Sequence, residues 1–283
     1  MTDLVNRLRS WKIRLLAYGA RKDLSRLAVL FGTDKWNSHW YTPHYEEHFR
    51  NLRGKRLNLL EIGIGGYANP REGCHSLRMW KAYFRKGRIY GIDVYDKKSL
   101  EEPRIHLFQG SQDDEAFLRS VSERAGGFDI VVDDGSHLNE QVIKSFEVLF
   151  PLLREGGIYV VEDTQFSYWP GCGGNLDDPN DPKTIMGYFK RLADGLNYEE
   201  RLKPGYAPTY LDQHIIGIHF YHNLVFVLKG DNREGSNVVR NNDSDIEWLW
   251  KGGNPVGRMG LHESPKIPPT EKNARPDDLH RDS

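Results

Sequence analysis

Cysteine is nearly absent: only Cys74 and Cys172 occur in 283 residues, too few for a disulfide framework and suited to a reducing, cytoplasmic setting. Long apolar runs are missing too, and charge interrupts the N-terminus every few residues, so neither a signal peptide nor stable membrane insertion is expected. Nor is there an excess of one charge. Thirty-nine Lys+Arg stand against forty Asp+Glu, a formal net charge of -1, which removes the global electrostatic case for nucleic acid as a partner. No internal repeat is visible. What is present, 38% hydrophobic, 28% charged and 12% aromatic residues, is the composition of a globular protein able to bury one large or two small cores.

Residues 4–30 alternate Leu, Val, Trp and Ile with Arg and Lys at helical spacing, predicting amphipathic helices packed on the domain or on a partner subunit, with a membrane surface as the alternative. From residue 57 short apolar runs alternate with helical patterns. The expected strands are 57–64, 88–94, 104–110, 129–134 and 157–163, with helices near 76–85, 112–124 and 138–153. That rhythm belongs to an α/β, Rossmann-like fold with a mostly parallel, doubly wound sheet. Residues 214–230 break it with two strands around His222-Asn223, an antiparallel hairpin closing the sheet. The expected organisation is N-terminal helices and a lid segment over 1–52, a cofactor-binding domain over 53–230, and a polar tail over 231–283, either disordered or an intersubunit arm.

The first strand ends in Glu61-Ile-Gly63-Ile-Gly65-Gly66-Tyr67-Ala68, where glycines let the backbone turn sharply beside a ligand. Gly63, Gly65 and Ala68 satisfy a dinucleotide fingerprint, so a nicotinamide-dependent sugar oxidoreductase is one reading. Three features favour S-adenosylmethionine (SAM) instead: an acidic Glu61 within the strand end, the non-helical insertion "YANPREG" where a pyrophosphate-binding helix would begin, and the terminal hairpin. With no pyrophosphate to bind, Glu61 can hold the cationic methionine end. Asp93 ends the second strand, placed for ribose hydroxyls in either cofactor class. Gln109, Ser111 and Asp113 follow the third strand near an adenine edge, although Ser111 reads better as the cap of the helix starting at 112.

"DIVVDDGSH" (129–137) raises a sharper question, because a buried strand ends in adjacent carboxylates and then an imidazole. Ligands gather beyond the carboxyl ends of parallel strands, and neighbouring strand ends lie roughly 5 Å apart. Asp134 would therefore meet Glu162 and Asp163, and three unpaired carboxylates require a cation between them. All-oxygen ligation favours Mg²⁺ or Mn²⁺. His137 then has a role as general base on a hydroxyl acidified by the metal. Asp133, beside Asp134, is expected among the cofactor-binding residues; the plainer possibilities are a helix-cap neighbour for His137, a buried acceptor for Asp133, and a helix cap for Asp163.

The stretches "DKWNSHWYTPHYEEHF" (34–49), "LLEIGIGG", "VVDDGSH", "VVEDTQFSYWP" and "IHFYHNLVFVLKG" together resemble the metal-dependent sugar O-methyltransferases of macrolide biosynthesis, the macrocin and mycinamicin type, over residues 30–230. The resemblance implies a class I methyltransferase fold, Asp134, Glu162 and Asp163 as Mg²⁺ ligands, and His137 as the base. It implies a carbohydrate acceptor. The sequence does not identify the sugar: a macrolide deoxysugar, or a mannosyl or rhamnosyl unit of a bacterial polysaccharide or glycolipid, would each suit this site. Family members carry a further N-terminal domain, whereas residues 1–33 precede the shared motifs here. A homo-oligomer is expected, and a non-catalytic carbohydrate-binding or oligomerisation module is a third reading.

His44-Tyr-Glu-Glu47-His48 matches a zinc-peptidase pattern, with Thr42 as N-cap and Pro43 as first helical residue, but five residues in a chain with eleven histidines match easily by chance. The His39-Trp40-Tyr41 stretch reads as part of a lid over cofactor or acceptor, with simple core packing as the alternative, and Tyr168, Trp169 and "PGCGGN" form a second candidate rim suited to sugar surfaces.

Overall fold

The computed structural model describes residues 2–245 and Lys251. Residues 1–199 and 207–235 form one unit, which holds every element discussed below, and residues 200–206 with 236 onward form a second. Most of the segment expected to be a polar tail lies outside the described residues.

Two helices open the chain, α1 (Thr2–Ala20) and α2 (Leu24–Phe31), as the amphipathic spacing predicts. Asp23 caps α2 by accepting from the Arg26 amide at 2.9 Å, and Gly32 ends it in a left-handed conformation only glycine adopts without strain. Helix α3 (Thr42–Phe49) follows, and its cap differs from expectation. Thr42 lies inside the helix, where its hydroxyl meets Ser25 Oγ at 2.7 Å, and Tyr41 occupies the cap position.

The alternation then runs β1 (Asn58–Ile62), α4 (His75–Tyr83), β2 (Arg88–Asp93), β3 (Ile105–Gln109), α5 (Glu115–Ala125), β4 (Phe128–Asp133), α6 (Asn139–Leu152) and β5 (Leu153–Glu162). After α7 (Ile185–Leu192) and α8 (Tyr210–His214) come β6 (Ile215–Tyr221) and β7 (Leu224–Lys229). The sheet order is β3-β2-β1-β4-β5-β7-β6, with β1 to β5 parallel and β7 inserted antiparallel between β5 and β6. Asn223, at φ 59, turns the hairpin. The expected architecture is therefore present, with β7 rather than β6 next to the parallel strands.

Successive strand residues point to opposite faces, so each face acquires its own core. Leu59, Ile130, Val132, Val160 and Phe226 pack under α1 to α4, while Leu60, Ile62, Val131, Val161 and Val225 pack against α5, α6 and α7. Covering both faces explains why β1 is buried at all five residues. It also fixes Glu61 on the Leu59 face. Its carboxylate is fully buried and accepts from Trp80 Nε1 on α4 at 2.8 Å.

The order reverses between β1 and β4, whose neighbours diverge, so their carboxyl ends open the crevice where such sheets bind ligands. Loop closeness at this point demands glycine. Gly63 sits at φ 87, and a Cβ there would come 2.2 Å from the Asp134 carbonyl oxygen.

Candidate functional site

A cavity of about 630 Å³ lies over the ends of β1, β2 and β4. Gly63, Gly65, Asp93, Ser111, Asp134, His137 and Asp163 line it. Of the remaining expected site residues, Glu61, Gln109, Asp113, Asp133 and Glu162 do not.

At the β2 end of the cavity stands Asp93, whose Oδ2 accepts from the Ile64 amide at 3.0 Å and whose Oδ1 accepts from the Tyr95 amide at 2.9 Å. These bonds fasten the glycine loop to β2 and aim the carboxylate across the cavity floor. The "YANPREG" insertion is held in place. Buried Lys97 donates to the Asn69 and Glu72 carbonyls at 2.8 and 3.0 Å, and α4 begins only at His75. No helix N-terminus therefore follows the glycines directly, against a pyrophosphate reading.

Ser111 is not a helix cap, contrary to expectation. Asp114 caps α5 by accepting from the Phe117 amide at 3.0 Å, while the Ser111 hydroxyl donates to Asp113 Oδ1 at 2.5 Å. Asp113 is further held by Gln141 Nε2 at 3.1 Å, and Gln109 donates to the Val94 carbonyl at 3.1 Å, so both brace the rim.

Asp133 is a buried acceptor, engaged by Ser145, by Tyr159 at 3.0 Å and by Gln112 at 3.3 Å. Gln112, which the sequence reading did not single out, accepts from the Ser136 amide at 2.7 Å and so relays the buried carboxylate to the loop carrying His137. Burial pushes the Asp133 carboxyl up to about 6, against the pull of its Ser145 and Tyr159 hydrogen bonds. A raised carboxyl favours the folded state while protonated, so its contribution is present below the unfolded value near 4 and is lost as pH rises through about 6. The stability advantage of wild type over Asp133→Asn should accordingly shrink between pH 4 and pH 6.5, by up to about 3 kcal/mol. Denaturant titrations at a series of pH values check this; a constant difference contradicts it.

Beyond the strand ends, single ligand atoms of Asp134, His137 and Asp163 all lie within 4.8 Å of one another. His137 (φ 57) and Asp163 (φ 54) both hold left-handed backbone, uncommon outside glycine but tolerated best by Asn, Asp and His. His137 Nε2 is 3.7 Å from Asp163 Oδ2, and its ring stacks on Phe166 with centroids 4.8 Å apart. Asp163 makes no cap bond to the following 3-10 turn; its Oδ1 accepts from Tyr41 Oη at 2.6 Å.

Behind this group stands a residue missed in the sequence. Lys35, with no exposed side-chain surface, places Nζ 2.6 Å from Glu162 Oε1, 2.7 Å from Asp134 Oδ2 and 3.2 Å from Glu61 Oε1. The expectation of unpaired carboxylates is corrected here: Asp134 and Glu162 share a cation 99 and 127 residues away in sequence. Glu162 also accepts from Tyr45 Oη at its Oε1. Burial and then the Asp134 charge push the Glu162 carboxyl well up, and burial lifts Glu61 to about 7. Glu61 thus faces Trp80 and Lys35 instead of the methionine end expected for it.

The lid stretch contributes too. His39 Nδ1 lies 3.8 Å from Asp163 Oδ1, and Trp40, 63% exposed, packs edge-on against Trp36. Across the site Trp169, 49% exposed, rests on Phe166 with centroids 4.7 Å apart. The zinc-peptidase pattern holds no convergent ligands among the described residues: His44 stacks on Tyr221 and His48 on Phe226.

A glycine-looped cavity at the sheet's switch point, a seven-stranded sheet with a reversed terminal hairpin and an acidic cluster at the mouth define a class I α/β methyltransferase fold. The methyltransferase-domain family profile matches residues 15–164, and the chain belongs to that family. It is 49% identical over 218 residues to demethylmacrocin O-methyltransferase of Streptomyces fradiae, covering 76% of this chain and 55% of that protein. Against mycinamicin VI 2''-O-methyltransferase of Micromonospora griseorubida it is 48% identical over 224 residues, 78% of this chain and 56% of the relative. The structure of MycE methyltransferase from the mycinamycin biosynthetic pathway, in complex with Mg and SAH, matches with a TM-score of 0.75 at 46% identity, covering 81% of this chain and 59% of that one. The chain thus spans somewhat over half the length of the relatives it matches.

Proposed function

We propose that the protein transfers the methyl group of SAM to a sugar hydroxyl of a glycosylated small molecule, assisted by Mg²⁺ or Mn²⁺. The convergence of Asp134, His137 and Asp163 at the mouth of the Asp93–glycine-loop cavity carries this reading. The relatives support it: they are named as O-methyltransferases of demethylmacrocin, of mycinamicin VI at its 2'' position and of a rhamnosyl tetracenomycin at its 3' position, and MycE has been solved with Mg, SAH and mycinamycin VI.

The residues fit both groups. Three carboxylates, Glu61, Asp134 and Glu162, surround the Lys35 ammonium, and Asp163 offers an oxygen within 4.8 Å of Asp134 on the cavity side, a set of hard oxygen donors that a divalent ion suits. Asp134 and Asp163 would hold it, and Glu162, whose Oε1 serves Lys35 and Tyr45, would add its Oε2. Asp93 would hold the ribose of SAM, and Gly63 and Gly65 would admit the backbone-close methionine end. SAM supplies an already activated methyl, and the cation lowers the acidity barrier of a bound hydroxyl. His137 takes the hydroxyl proton, with Phe166 and Asp163 fixing its ring. The cavity walls align acceptor oxygen and methyl. Trp40 and Trp169 offer exposed faces for a sugar and its aglycone.

A cytoplasmic homo-oligomer belongs to the same reading. No helix among the described residues is long and apolar enough to cross a membrane, and α1 exposes Trp11, Leu15, Leu16 and Tyr18, a face suited to a subunit contact.

Calorimetry should show one equivalent of SAH bound and no NAD; tight NAD binding without SAH binding would return the oxidoreductase. Asp93→Ala should weaken SAH by about 1–3 kcal/mol, because charge-assisted hydrogen bonds and the loop tether are lost together. Unchanged SAH affinity would remove Asp93 from the cofactor site.

A further inference from the structure

An ammonium as deeply buried as Lys35 is costly unless the acids around it compensate its desolvation. Its Nζ is met by three carboxylates, Glu162 Oε1 at 2.6 Å, Asp134 Oδ2 at 2.7 Å and Glu61 Oε1 at 3.2 Å, the surroundings a buried ammonium requires. Its backbone is equally fixed. The Lys35 carbonyl accepts from the Tyr41 amide at 3.2 Å, and that same Tyr41 holds Asp163. Glu61 Oε1 lies 3.2 Å from the ammonium, receives no hydrogen bond and lines no part of the cavity.

We infer that Lys35 is a built-in counter-cation that sets how strongly the Asp134–Asp163 site attracts a divalent ion. The inference rests on the metal reading above and names its tuning element. Lys35 neutralises part of the acidic cluster before any ion arrives, by pairing with one oxygen each of Asp134 and Glu162. A unit charge a few ångströms from a doubly charged ion repels it strongly in a buried setting, and even a heavily screened remnant changes a dissociation constant roughly tenfold. Carboxylates already sharing their charge with an ammonium also leave more of the metal's charge for an acceptor hydroxyl. Lys35 is thus a positioning residue, acting through the carboxylates it touches. Glu61 acts in the opposite sense, offsetting part of the ammonium's repulsion.

Mn²⁺ titration of the purified full chain at pH 8, following free ion by electron paramagnetic resonance, tests this with wild type, Lys35→Gln and Glu61→Gln. Lys35→Gln should bind Mn²⁺ at least roughly tenfold more tightly, and Glu61→Gln more weakly than wild type. A folded Lys35→Gln, verified by circular dichroism, with equal or weaker affinity overturns the inference and leaves Lys35 a structural support. Should Lys35→Gln fail to fold, Glu61→Gln decides: weaker binding supports the inference, unchanged affinity overturns it. Wild type binding Mn²⁺ without the Lys35→Gln change removes only the counter-cation role, whereas no binding by any of the three removes the metal reading with it.

Discussion

Replacing His137 with alanine should lower methyl transfer by roughly 10²–10⁴-fold, the usual range for losing a general base. The fold should survive. The side chain is 22% exposed and its contacts are the Phe166 ring and Asp163, so the loss of stability should stay near 1 kcal/mol. SAH affinity should hold as well, because Asp93 and the glycine loop are built from other strand ends. A scaffolding His137 gives the reverse: a lowered melting temperature, and a rate reduced only in proportion to unfolded protein. Turnover and melting temperature measured on one preparation separate the two.

Stripping divalent ions should be comparably severe. Without the ion, Asp134 and Glu162 keep the Lys35 ammonium they share, Asp163 keeps its Tyr41 hydrogen bond, and nothing acidifies the acceptor hydroxyl for His137. Excess EDTA should therefore cost on the order of 10³-fold in turnover, equivalent to about 4 kcal/mol of transition-state stabilisation, and Mg²⁺ or Mn²⁺ should restore it. Full activity in chelator, with metal analysis showing an ion-free protein, would contradict the assignment of Asp134 and Asp163 as ligands.

The sheet and the ends of its strands were legible because their signals are local. Continuous Val/Ile runs mark strands covered on both faces, Gly63 answers a steric demand from the Asp134 carbonyl, and Asp134 and His137 share one loop with the strand that precedes them. Side-chain direction could also have been read further than it was. Two-residue alternation places Glu61 with Leu59, toward the α4 face, whereas Ile62 reaches the cavity. Glu61 accordingly faces Trp80 and Lys35, not a ligand. Ser111 misled for another reason: Ser111, Asp113 and Asp114 are all cap-forming types within four positions, and only the register of α5 selects Asp114.

Lys35 had no such signal. It stands in irregular backbone between α2 and α3, where periodicity says nothing about burial, and its hydrogen-bonded partners Asp134 and Glu162 are more than ninety residues away. One cue was available in retrospect. Three carboxylates expected to converge need charge balance, and "DKWNSHWYTPHYEEHF" brought a lysine in a segment already assigned to the lid. Gln112 was hidden similarly, because its role depends on reaching the Asp133 carboxylate and the Ser136 amide across two loops.

Incubation with SAM carrying a trideuteromethyl group, Mg²⁺ and a panel of macrolide and aromatic-polyketide glycosides, followed by fragmentation mass spectrometry, tests the account most directly. The account predicts that at least one glycoside gains a single trideuteromethyl ether confined to its sugar fragment, and that His137→Ala forms it at a small fraction of the rate. Label appearing on the aglycone or on nitrogen, or sugar methylation that proceeds equally well in folded His137→Ala, would contradict it.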